Sequence, residues 1–526
     1  MSQSSKNSII KGAFILTAVG LVTRVIGFLY RIYMSNLIGA EGMGIFQLIF
    51  PVFMICYTLC CSGLFTAISK LVAAQKASNN STNISKVINM ATLISFSLSV
   101  LLSVIIYFFS EYISSNILNE PRTLLSLKIL AFTVPFTAIG SSVKAYFYGL
   151  QKTFIPASSQ LMEQIIRVLS VYLLSGFFIP LGLEYACAMA VIGMALGEVI
   201  TCFYVIIAYR ISLKSKLNQW SKKANYIYKY KSSIYHSYKT ISKSIAAIAV
   251  PLTANRVLIT LLSSVETILI PSRLQLYGLN HSASISIYGV LTGMAMPLIL
   301  FPSVFTSSLS LMLLPAVSEA NASKNKNAIR ITTSKTLQYT LLIGIISTFI
   351  FIVFGEPLGL KIYNDPLVGN FLIILAWLCP FMYLNSTLGS ILNGLDYELI
   401  TFRNNTIGLG IRITFTFFVI PILGLQGYLW GVLVSSLVIT LLDLLKIVKV
   451  TTIKFDVVQW LLKPLLSAFI ASVVVSYLYY QYIFHLSNAL IPLLGSCMLL
   501  GLIYFVFIMF FNCIPKDDIK NIKHSI

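Results

Sequence analysis

Five arginines stand inside runs of apolar sequence: Arg24, Arg31, Arg167, Arg256 and Arg412. A guanidinium is always charged, and its planar fork of donors matches phosphate or carboxylate two bonds at a time. In a segment destined for hydrocarbon that charge is costly, about 2.5–3.5 kcal/mol at the bilayer centre. Arg24, Arg167, Arg256 and Arg412 fall near the middle of their runs, so together they cost on the order of 10 kcal/mol before any pairing. Such groups face water, a partner or a ligand, not lipid.

Spacing sorts them. Thr17, Gly20, Arg24, Gly27 and Arg31 follow a three-four rhythm and share one helix face; a stripe of small and cationic residues suits a water-filled cavity. Asn255, Arg256, Thr260, Ser263 and Thr267 form a comparable polar strip. Two such stripes facing one another would make a positive cleft, and arginine is the residue suited to bidentate phosphate contacts. The substrate class this implies is a phosphate- or pyrophosphate-bearing molecule, specifically a lipid. Arg167 is different, because Glu163 lies four residues before it, a favourable helical pairing; a structural salt bridge and a place in the cavity both stay open. Arg412 has no such acid, only Asn404 and Asn405. Lys128 and Lys144 lie within a turn or two of a run's end, where lysine snorkels, and Lys144 is also within reach of an inner vestibule. The acids in the runs are Glu163, Glu198, Glu266 and Asp443, of which Glu163 and Glu198 are central enough to carry coupling H⁺ or Na⁺. Seven cations against four acids is the wrong sign for a cation exporter. No catalytic residue, metal site or cofactor is expected; there is no G-x-x-x-x-G-K-[ST] loop for ATP. Coupling to H⁺, Na⁺ or the membrane potential is what remains.

The elements that position these groups follow from composition. The 526 residues are 57% hydrophobic and only 10% charged, against about 25% charged in soluble domains. A span needs roughly 20 apolar residues, and fourteen runs qualify, over residues 12–37, 44–70, 86–109, 124–149, 155–179, 184–208, 243–269, 285–314, 331–354, 370–395, 402–422, 427–448, 460–481 and 489–512; they are numbered spans 1–14. With both termini cytoplasmic, 27 Lys and Arg fall on inner segments and only Arg122, Arg273 and Lys361 on outer ones, the asymmetry expected of a cell-membrane protein. The basic stretch 210–242, rich in tyrosine, could be read as a nucleic-acid surface, but between two spans it reads better as a segment held by anionic headgroups. The eight cysteines show no C-x-x-C spacing and nearly all lie in apolar runs, where Cys acts as a small hydrophobe.

An internal repeat orders the spans. Leu127–Phe136 (LKILAFTVPF) matches Leu372–Phe381 (LIILAWLCPF) at an offset of 245, which also pairs Gly149-Leu150 with Gly394-Leu395, Arg167 with Arg412 and Gly44 with Gly289. Spans 1–6 and 7–12 thus read as two six-helix lobes of like orientation, a parallel pseudo-two-fold repeat with two extra C-terminal helices. The expected fold is an all-α polytopic membrane protein: an N-lobe over 1–209, the basic cytoplasmic loop 210–242, a C-lobe over 243–450, and spans 13 and 14 with the tail over 451–526. Rocking of one lobe against the other is the usual basis of alternating access.

Lys11-Gly-Ala-Phe-Ile-Leu-Thr, Arg24-Val-Ile-Gly-Phe-Leu-Tyr-Arg-Ile-Tyr33, Ile38-Gly-Ala-Glu-Gly-Met-Gly44 and Ala67-Ile-Ser-Lys-Leu-Val-Ala73 resemble the stage V sporulation protein B family, a polysaccharide-transporter branch of the MOP (MATE-like) superfamily. The resemblance implies a fourteen-helix, two-lobed fold with spans 1, 2, 7 and 8 lining a cavity. It also implies kinship with MurJ-type flippases of lipid II, an undecaprenyl-pyrophosphate-linked peptidoglycan precursor, whose cavity arginines bind the pyrophosphate and whose two extra helices form a groove for the lipid tail. Arg24 and Arg31 match the family's first-helix pattern; Arg256 is placed by the repeat. Spans 2 and 8 contain no arginine, a departure from the MurJ pattern. The expected function is a lipid II-type flippase for the spore cortex, not an enzyme, with an undecaprenyl-linked substrate, membrane lipids and cell-wall synthesis enzymes as partners. The alternatives are a flippase for another oligosaccharide-lipid (O-antigen or teichoic type), a cation-coupled drug exporter, and a non-transporting scaffold.

Overall fold

In hydrocarbon an unpaired backbone N–H or C=O costs several kcal/mol, so a long apolar run closes its hydrogen bonds within itself, as helix. The protein follows this rule in the computed structural model, which describes residues 3–77, 81–227, 238–453, 455–483 and 490–513; all regular elements among them are helical. Part of the basic stretch (228–237), residues 78–80 and the tail from 514 lie outside the described residues. Among the described residues, thirteen helical stretches are long and apolar enough to cross a membrane, and fourteen with the pair Pro366–Ala376 and Cys379–Gly394, which meet at 58°.

These stretches correspond to the fourteen expected spans, with three differences in continuity, the first being the bent pair just described, which is span 10. Spans 1 and 2 run on as Gln3–Tyr57, changing course at Gly39 (φ 68°, ψ −176°), a backbone region open essentially to glycine alone. Span 8 is broken instead, into His281–Leu300 and Ser303–Ala322. Of the helices used below, span 3 is Ser81–Tyr112, span 4 Leu124–Gly149, span 5 Phe154–Phe178, span 6 Leu183–Ile227, span 7 Tyr238–Leu276 and span 9 Lys326–Tyr363. Span 2 contains a π-helical turn, Thr58–Ser62, before continuing as Gly63–Ala77.

The sequence repeat recurs as repeated contacts. Asn119 (φ 52°) and Asn364 (φ 54°), 245 apart, both take the left-handed conformation that asparagine tolerates, as do Gln151 (φ 61°) and Asp396 (φ 64°). Each Asn is followed by an acidic N-cap and a first-turn proline: Glu120 accepts from the Arg122 N–H at 3.2 Å, and Asp365 from the Leu367 N–H at 2.8 Å. A Cβ on Gly149 would press on Ser69 and Val72, and one on Gly394 on Leu314 and Val317. The Ser103 hydroxyl donates to the Ala131 carbonyl, as Thr348 does to Ala376. The two copies therefore fold alike.

By contact the chain forms two compact units, one of Met1–Tyr30 with Glu41–Ile268, the other of Arg31–Ala40 with Leu269–Ile526. The boundary by contact thus does not fall where the second sequence copy begins, near residue 243, because most of span 7 packs within the first unit. The core of that unit joins Ile68, Val72, Ile88, Tyr146 and Phe147 to Ile241 and Ile245 of span 7. In the second unit, spans 13 (Lys463–Leu478) and 14 (Leu490–Phe510) dock on span 9 through Leu342, Ile345, Ala468, Ala471 and Ile508. There the Tyr504 hydroxyl donates to the Leu342 carbonyl at 3.1 Å.

Candidate functional site

Within the first unit, span 7 lies along span 2 with almost no side-chain spacer. Gly63 allows this: a Cβ there would collide with the Thr253 hydroxyl and the Ala249 carbonyl. The seam continues through Thr58 and Thr260, whose hydroxyls are 3.1 Å apart, to Ser264, which donates to the Pro51 carbonyl at 3.5 Å.

Arg256 sits on this seam. Its Nη1 donates to the Ser62 carbonyl at 2.9 Å, at the end of the π-helical turn. A π turn changes the carbonyl register of a helix, a feature frequent at functional sites. The Arg256 side chain is otherwise exposed, as is Asn255 beside it, and among the described residues no carboxylate lies within 4.0 Å of that guanidinium. One neutral carbonyl satisfies one donor and leaves the charge uncompensated. Chemically this is a cation held in place by its backbone anchor with donors to spare, fit for an anion.

Arg24 belongs to the same unit and is exposed. The glycines of its stripe, Gly20 and Gly27, have nothing within 4 Å of where a Cβ would be, so this face of span 1 is uncrowded. Arg31 falls in the second unit, half-buried, with Tyr363 as an electrostatic neighbour. Its segment is tied there by Asn36, which donates to the Ile362 carbonyl at 3.3 Å.

The structure gives the other in-span cations different surroundings. Arg167 Nη2 donates to Glu163 Oε1 at 2.8 Å, and Lys144 Nζ is 3.7 Å from Glu163 Oε2. Glu198 is near all three. Arg412 is half-buried in the second unit; Asn404, a hydrogen-bonding candidate for it, instead donates to Asp443 at 2.7 Å and accepts from Arg403 at 3.2 Å. Two features escaped sequence reading. One is the Ser62 carbonyl. The other is an ion triad away from the site, in which Arg122 binds Glu120 at 2.7 and 2.8 Å and Glu41 at 2.9 Å, joining the turn after Gly39 to the turn before span 4.

Comparison with known proteins agrees with this architecture. Residues 9–321 match the family described as "Polysaccharide biosynthesis protein", and residues 280–371 match "Lipid II flippase MurJ". Stage V sporulation protein B of Bacillus subtilis (strain 168) is 28% identical over 523 residues, 98% of each chain. A structure of the lipid II flippase MurJ in an inward closed conformation superposes with a TM-score of 0.69 at 17% identity, covering 95% of this chain and 98% of that one. An inward-facing multidrug resistance MATE family transporter of the MOP superfamily gives 0.61 at 13% identity, over 84% and 99%. At these identities the structural likeness is one of fold, and the fold is that of the MurJ and MATE proteins.

Proposed function

The chain belongs to the polysaccharide biosynthesis protein family, and from that premise we propose that it is a flippase carrying a polyprenyl-pyrophosphate-linked saccharide of the lipid II type across the cytoplasmic membrane by alternating access, in the making of the spore cortex. It is a multi-pass membrane transporter, not an enzyme. The single observation that carries the substrate reading is Arg256, a guanidinium in a membrane span held by a neutral carbonyl with no carboxylate among the described residues to cancel it. Arg24, on an uncrowded face of span 1, supports it, and Arg31 extends the stripe by sequence position. A pyrophosphate supplies the two adjacent anionic groups that guanidinium forks match. The relatives support the lipid-linked class: one matched family is named for lipid II flipping and one relative for sporulation. Both termini are assigned to the cytoplasm on the charge asymmetry of the loops. The MATE likeness raises drug export as a second reading, but an uncompensated guanidinium repels a cationic drug.

The test is translocation by the purified full chain in proteoliposomes. A polyprenyl-pyrophosphate saccharide is expected to cross, the same saccharide on a neutral lipid to stay, and Arg24→Glu to abolish crossing in protein that still folds. Equal transport of the neutral lipid, or wild-type rates in the variant, would overturn the assignment. Raised resistance to cationic dyes on expression would favour the exporter instead.

A further inference from the structure

The first unit holds a second charge cluster that the anion site does not use. Spans 5 and 6 close tightly at two glycines: a Cβ on Gly193 would press on Val171 and the Arg167 carbonyl, and one on Gly197 on the backbone and Cγ of Glu163. That approach brings Glu198, the next residue, into the group formed by Lys144, Glu163 and Arg167, whose side chains are only 15–19% exposed. The two carboxylates are served unequally. Glu163 meets both cations, at 2.8 and 3.7 Å. Among the described residues no cation lies within 4.0 Å of Glu198; its charged neighbours Glu163, Lys144 and Arg167 act at longer range, and Thr137, whose hydroxyl donates to the Thr133 carbonyl at 3.3 Å, lies beside it. Among the described residues, the other titratable groups near it are Tyr57 and Cys61 of span 2 and Cys202, one turn along span 6. Tyr57 lies within electrostatic range of both Glu198 and Arg256.

We propose that Glu198 is a proton-binding site, taking up and releasing a proton beside the ion pairs of spans 4 and 5, and that its state is sensed at Arg256 across Tyr57. The second half of this rests on reading Arg256 as the anion site. A proton suits the place better than a metal cation. It needs one carboxylate oxygen, whereas hard metal cations take about six or more oxygen ligands, and Lys144 and Arg167 repel any metal that approaches. Protonation forms one O–H bond on the carboxylate and removes one negative charge, which makes the potential at Arg256 more positive. An anion then binds more tightly, and by reciprocity anion binding draws a proton in.

The experiment uses the full chain in nanodiscs of neutral phosphatidylcholine. The infrared band of protonated carboxyl groups is followed against pH in wild type and Glu198→Gln. A titrating component lost in the variant is expected; none in wild type, or one retained by the variant, overturns the proton site. Lys144→Met gives an independent check should Glu198→Gln fail to fold: it should move the titration to higher pH, since losing a neighbouring cation favours the neutral acid, and an unmoved titration would count against Glu198. Inorganic pyrophosphate is then titrated calorimetrically in two buffers of different ionisation heat. Proton uptake on binding, lost in Glu198→Gln, is expected. Binding without uptake breaks the link to Arg256 and leaves the anion site standing. Failure of pyrophosphate to bind removes the anion site and the link together, and the infrared result still decides Glu198.

Discussion

At Arg167 the guanidinium meets Glu163 one helical turn away, whereas at Arg256, among the described residues, it meets the Ser62 carbonyl and no carboxylate. The first is a group whose removal should be felt as lost stability, the second as lost function. Removing one partner of a buried pair costs about 3–5 kcal/mol, because the other is left charged and alone. Given the partial exposure here, Glu163→Gln is expected to cost about 2–3 kcal/mol, and Glu163→Gln with Arg167→Gln to restore part of it, since Lys144 still loses its partner. Thermal unfolding of the single and double variants in detergent measures this; an additive loss would mean that the pair is not an energetic unit. The Glu163–Arg167 contact was legible in the sequence because i,i+4 geometry is fixed by the helix. The Ser62 anchor was not, since every residue has a carbonyl and only the π turn makes this one the partner of a distant arginine.

Spans were legible as elements because hydrophobic length is a one-dimensional property, and the fourteen crossings stand. Continuity was not: the sequence does not distinguish a helix that bends at Gly39 from two helices with a loop, nor a whole span 8 from a broken one. The turns carried a signal that was open to reading, Asn119-Glu-Pro and Asn364-Asp-Pro at the same 245-residue offset, whose matched left-handed asparagines the structure makes plain. The seam of spans 2 and 7 depends on contact across sequence distance and could not be read from either span alone. It predicts a contrast between glycines. Gly63→Val should destabilise the protein by about 1–3 kcal/mol or more through overpacking, while Gly20→Ala, with open space around it, should be neutral or slightly stabilising in thermal unfolding. Equal tolerance at both positions would contradict the close approach at Gly63.

For the molecule as a whole, the repeat was the strongest sequence signal, and it survives as paired contacts at Gly149 and Gly394. The grouping of span 7 with the first unit was hidden, because homology says which segments are copies and not which ones touch. The basic stretch 210–242, which takes in the end of span 6 and the start of span 7, is outside the transport argument, so deleting residues 214–239 should leave translocation within roughly twofold, a change under about 0.5 kcal/mol in barrier; a scaffold acting through those cations would lose its function. The central claim is that guanidinium donors on the span 2–7 seam hold a diphosphate. The most direct measurement is the translocation rate of a polyprenyl-pyrophosphate saccharide by reconstituted wild type, Arg256→Lys and Arg256→Gln, each verified as folded. The account predicts a fall of roughly tenfold or more for Arg256→Gln, at least about 1.4 kcal/mol of lost stabilisation, with Arg256→Lys in between because a point charge replaces a fork. Wild-type rates in Arg256→Gln would contradict it.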